Sequence, residues 1–141
     1  MAHTETRSGI QRLFNLPEDA EGLPLAAVED RASRRLSEFS AFALQTLSEM
    51  GITIPPAVSF VSCPNCQLEI NSQHPHAAEI QAWLNESLEA QERFKKVEVL
   101  YELIRASELA GQTIPPSVCF HVGLTSAGAI AYFETFVPRC S

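Results

Sequence analysis

The chain is 141 residues long, with 45% apolar residues and a mean hydropathy near zero, enough for one domain with a conventional core. Ten basic residues against seventeen acidic ones give a formal charge of −7, the wrong sign for a binder of nucleic-acid backbones. No apolar run approaches the ~18 residues of a membrane span, and the opening MAHTETRSGIQRLF lacks a secretory apolar stretch. The expectation is a soluble cytoplasmic domain with neither a nucleic-acid nor a membrane partner.

Residues 1–25 read as a weakly ordered lead-in, broken by Pro17, Gly22 and Pro24, before a single domain over 26–141. Val28, Ala32, Leu36, Phe39, Ala43, Leu47 and Met50 recur at steps of three or four, which predicts an amphipathic helix stopped by Gly51. After Pro55-Pro56, the alternation around Val58, Phe60 and Ser62 predicts a short strand. Cys63-Pro64-Asn65-Cys66 has turn chemistry, and Gln67-Leu68-Glu69-Ile70 alternates again, so the segment reads as a β-hairpin. Pro75 opens a second helical region in which Ile80, Trp83, Leu84 and Leu88 form a stripe. Phe94, Val97, Tyr101 and Ile104 carry the period to about residue 110, with a break or a strand over 95–101 left open. Two strands around Thr125-Ser126-Ala127-Gly128 end the chain.

GITIPPAVSFVS at 51–62 matches GQTIPPSVCFHV at 111–122 in seven of twelve positions, at an offset of sixty. The chain therefore reads as two helix–strand–strand units, 26–71 and 76–137. The fold class expected is α+β, with helices on one face of a mainly antiparallel sheet.

Four cysteines are present: Cys63, Cys66, Cys119 and Cys140. FVSCPNCQLEI resembles the knuckle of a zinc ribbon, where two thiolates of a turn bind one ion. The resemblance implies a structural zinc held by Cys63, Cys66, His74 and His76, with Cys119, His121 and Cys140 in reserve. AVSFVSCPNC also resembles the strand entering the active site of thioredoxin-like proteins, and TIPPSVCFHVG the strand after their cis-proline. That second resemblance implies a thioredoxin-like α/β fold and a thiol–disulfide oxidoreductase, with Cys63 as nucleophile, Cys66 as resolving thiol and Pro115 binding substrate. A third reading leaves both thiols inert.

Elsewhere the defaults are structural. His121 reads as a satisfied, partly buried histidine. Glu86, Glu89, Glu92 and Glu98 read as a solvated acidic face, and Arg31, Arg34 and Arg35 as a solvated basic one. The leading expectation is a non-enzymatic binding or regulatory protein with a zinc knuckle and a protein partner, a homodimer included. The oxidoreductase comes second and a subunit of a larger assembly third.

Overall fold

A long apolar stripe must be covered, and in the computed structural model, which describes residues 24–109 and 117–138, three helices cover a four-stranded sheet. Helix α1 runs over Leu25–Glu49, and strands β1 (Val58–Ser62) and β2 (Glu69–Asn71) form the hairpin. Helices α2 (Ala77–Glu86) and α3 (Leu88–Leu109) follow, then β3 (Val118–Thr125) and β4 (Gly128–Thr135). Every ladder is antiparallel and the sheet order is β2-β1-β3-β4. This is the expected α+β class. The thioredoxin-like α/β alternative would require a parallel strand pair, and the described sheet has none. No described helix is long and apolar enough to cross a membrane.

Helix α1 ends as its sequence dictates. Gly51 takes φ +78°, the Gly51 amide donates to Ser48 O at 3.0 Å, and the Ile52 amide donates to Leu47 O at 2.8 Å. That paired closure satisfies the last carbonyls and folds Ile52 back onto Leu47 in the core. The interruption of the second helical region falls at Ser87, not at 95–101. There the Ser87 amide donates to Trp83 O while its hydroxyl caps Ala90 N at 3.1 Å, so one residue ends α2 and starts α3.

One face of the sheet supplies Val58, Phe60, Ile70, Phe120, Val122 and Leu124 to the main core. They meet Phe39, Ala43, Leu47, Ile80, Leu84, Phe94 and Val97 from the helices. Phe39 stands edge-on to Phe60 at 5.3 Å and to Phe94 at 5.6 Å, geometry that favours paired rings beyond the area they bury. Gln81 of α2 guards the short edge strand by accepting from Ile70 N at 2.8 Å. The first twenty-three residues, the second Ile-Pro-Pro segment with Pro115, and Cys140 lie outside the described residues.

Phe60 is fully buried, whereas Ile130 on β4 is 62% exposed. Phe60→Ala should lower unfolding free energy by roughly 3–5 kcal/mol in urea titration, and Ile130→Ala by less than about 0.5 kcal/mol. Equal effects would refute this assignment of the core.

Candidate functional site

The β1–β3 register pairs Ser62 with Phe120, so the next step sets Cys63 opposite Cys119. Their Cα atoms are 4.6 Å apart, close to the about 4.5 Å of a non-hydrogen-bonded antiparallel pair, and a disulfide joins them. Cys66 is disulfide-bonded as well, and no described cysteine is free. The turn between them closes through the Cys66 amide, which donates to Cys63 O at 3.1 Å, with Asn65 in the left-handed region at φ +62°. Cys119 and Cys63 are buried, and Cys66 is the partly exposed member of the group. Val61, Cys63 and Cys119 form a small core of their own, with Cys66 and Phe136 against it.

This arrangement corrects the zinc expectation, and with it the metal-binding role and the zinc-knuckle function built on it. No group of three or more metal-ligating side chains exists among the described residues. Cys63 spends its sulfur on Cys119 rather than on a metal shared with Cys66. His74 and His76 are occupied too. His74 Nε2 donates to Thr53 O at 2.7 Å, and its Nδ1 accepts from His76 N at 3.0 Å. His76 Nδ1 pairs with Glu79 at 2.8 Å. The physical reason is strand length. Ser72 is tied to Ala57 O, at the start of β1, while Cys63 follows its end. Six residues of extended chain separate the two ends by roughly 20 Å.

The helix side of the turn holds a second set of groups. A cleft of about 530 Å3 is lined by Cys63, Cys66, Lys95, Glu98 and Glu102 among others, and an adjoining one of about 320 Å3 shares Ser62, Cys66, Lys95 and Glu98. Glu98, expected on a solvated face, is only 6% exposed. Its carboxylate accepts from Ser62 Oγ at 2.7 Å and from Lys95 Nζ at 2.9 Å, which compensates the burial of its charge. The signal was present in the sequence: Glu98 stands four residues after Phe94 and three before Tyr101, on the apolar stripe itself. Glu102 lies one turn further along. Partial burial, then the hydrogen bond that its protonated form donates to Glu98 and the charge of Glu98, push its pKa from 4.5 up to about 7, against a weaker pull from Lys95. A carboxyl raised toward neutrality, in a cleft that Cys63 and Cys66 also line, is of the kind that can take and return a proton.

His121, on the other face of the sheet, is buried as expected but only half satisfied. Its Nε2 bonds Glu134 O at 3.3 Å, and its Nδ1 has no hydrogen-bond partner among the described residues. Of the basic cluster, Arg34 stands on the solvated face and pairs with Asp30, whereas Arg31 and Arg35 are half-buried, Arg35 pairing with Glu38.

Two outcomes test this geometry. Closing a loop of 56 residues is worth roughly 4 kcal/mol in the chain-entropy model, so a Cys63→Ala/Cys119→Ala double variant should lose up to that much unfolding free energy in urea. A loss below about 1 kcal/mol would mean that the bond does not constrain the fold. The folded chain holds the Glu102 proton more tightly than the unfolded chain does. The stability this contributes is complete below pH 4.5 and is lost as pH rises through about 7. Glu102→Gln should remove that decline from a Tm series taken between pH 4 and 8, and an unchanged slope would exclude Glu102 as its source. Comparison of the chain with protein-family models, with curated proteins and with solved structures finds no match.

Proposed function

We propose that this protein is a small thiol–disulfide exchange protein whose reactive centre is the Cys63–Cys66 turn together with Cys119. The observation that carries the reading is the meeting of three cysteines at one end of the sheet. Two are joined and buried, and the third stands across a single closed turn, at a cleft containing Glu98 and Glu102. Relative to the roles implied by the thioredoxin-like resemblance, the burial order exchanges Cys63 and Cys66. Cys66 is the sulfur that an incoming thiol meets first.

The step balances with a dithiol as co-reactant. A substrate thiolate attacks Cys66 Sγ, the Cys66 disulfide breaks, and the electron pair leaves on its partner sulfur, which takes the proton given up by the attacking thiol. A second substrate thiol then attacks the mixed disulfide, releases Cys66 as thiolate and leaves the substrate oxidised by two electrons. Glu102 is the group placed to carry protons in both steps. The substrate class is a cysteine-bearing peptide or protein. In a cytoplasmic setting, disulfides of this kind are more often transient and catalytic than structural.

We also infer that the two halves are copies related by a twofold rotation. The offset of sixty maps α1 onto residues 85–109, close to α3 at Leu88–Leu109, and leaves α2 as an insertion. The β1–β3 register supports this, because Phe60 pairs with Val122 and Ser62 with Phe120, a set symmetric about the pair Val61–His121. Phe60 and Phe120 are both buried, while Val58 is buried and Val118 only partly so.

Protein held in glutathione buffers at pH 7 should acquire one glutathione on Cys66, seen by intact-mass and peptide mass spectrometry. Cys66→Ser should reduce this adduct at least tenfold. Cysteines that stay unmodified in such buffers would overturn the exchange reading.

A further inference from the structure

His121 is 1% exposed, and its Nδ1 is buried with no hydrogen-bond partner among the described residues. Leaving such a nitrogen unpaired ordinarily costs about 1–3 kcal/mol, so the site calls for a physical reason. The tautomer of the neutral ring is fixed by its other nitrogen. Nε2 faces the carbonyl of Glu134 and carries the hydrogen, which leaves a lone pair on Nδ1. The ring is clamped, stacked on Tyr132 at 4.9 Å and 11°, and edge-on to Phe136 at 5.7 Å.

The same surroundings hold the disulfide. Cys119 and His121 are two residues apart on β3 and share one face of the sheet. Val61, paired with His121 across the ladder, and Phe136, in contact with its ring, both belong to the cluster around Cys63 and Cys119. An oxidised sulfur has no hydrogen to donate. A reduced Cys119 has one, and its other acceptors are long contacts: 3.8 Å to Ser117 O, which already accepts from Phe136 N, and 3.9 Å to Phe136 O.

We propose that His121 is a positioning residue for the reduced state of the Cys63–Cys119 pair, its Nδ1 accepting the hydrogen of the Cys119 thiol when the disulfide opens. An attacking thiolate, from an external thiol or from Cys66 once its own disulfide has been opened by exchange, bonds to Cys63 Sγ. The Cys63–Cys119 bond breaks, and the electron pair leaves on Cys119, which takes up the proton that the attacking thiol released. Cys63 is the sulfur attacked, being the more accessible of the two, and Cys119 leaves toward the imidazole. A thiol product stabilised in this way favours the reduced state and makes the bond easier to reduce. The proposal rests on the exchange reading only in requiring that this bond can open.

The test compares wild type with His121→Phe, which keeps a ring on Tyr132, and uses Tyr132→Phe as a control that keeps His121. In wild type, the 15N resonance of His121 Nδ1 should move when the protein is reduced with a phosphine at pH 7, and in Tyr132→Phe it should move likewise. In His121→Phe, the glutathione equilibrium of the Cys63–Cys119 bond should shift roughly threefold to tenfold toward the disulfide, the factor expected for losing one hydrogen bond. An unmoved Nδ1 resonance, an equilibrium within twofold of wild type, or His121 signals that collapse to unfolded values on reduction would each overturn the proposal. Absence of any Cys66–glutathione adduct, with the Nδ1 shift intact, would remove the exchange reading and support this one.

Discussion

The five-rung antiparallel ladder between β1 and β3 is the constraint on which the rest of the molecule depends. It joins two hairpins into one sheet, so that Phe60 and Phe120 can share a core under α1 and α3. A slip of one residue would place Phe60 and Phe120 on opposite faces, so that they could no longer share a core. The same register carries the chemistry. Continued one step past Ser62, it makes Cys63 the partner of Cys119, and a two-residue slip would separate the sulfurs by the full rise of a strand pair. Core and disulfide are therefore specified by one pairing, and the disulfide in turn closes the end of the ladder where β1 leaves the sheet.

Legibility in the sequence followed the range of the interactions. Helix α1 and its glycine stop are local events, visible as a period and a cap, and they stand within a residue of expectation. The hairpin turn was equally local. The break at Ser87 was less visible because a serine cap leaves no gap in composition, yet Leu88 carried the trace of it. Read as part of the apolar stripe, Leu88 is 71% exposed, because α3 restarts its phase with Ala90, Phe94 and Val97 as its buried residues. Proximity along the chain misled the reading of the cysteines. His74 and His76 lie within ten residues of Cys66, but an extended hairpin carries them to its far end, while Cys119, fifty-six residues away, arrives beside Cys63. Four cysteines admit three pairings, and only register chooses among them.

Glu98 shows a different kind of illegibility. A carboxylate at a stripe position is ordinarily a sign that the stripe has drifted, and the neighbouring Glu89 and Glu92 invite that reading. Here the stripe is intact and the charge is accommodated by Ser62 and Lys95, one from the strand that ends at the cysteine turn and one from the preceding turn of α3. A buried charge held by two partners is costly to disturb, since removing either leaves it undercompensated. That places a fixed negative group at the cleft where an incoming thiol would arrive.

The two faces of the sheet consequently bias sulfur in opposite directions. On the helix side, Glu98 and Glu102 oppose a nearby thiolate, and the turn leads into β2 rather than into a helix whose N-terminus would offset them. On the other side, an imidazole nitrogen with no partner among the described residues favours the hydrogen that a reduced Cys119 carries. Electrons entering at the partly exposed sulfur would then move inward, from Cys66 through Cys63 to Cys119, toward the group that stabilises the reduced state. The burial gradient and the electrostatic gradient point the same way. A disulfide serving only as a staple would require neither the carboxyl pair at its mouth nor an unpaired imidazole nitrogen behind it.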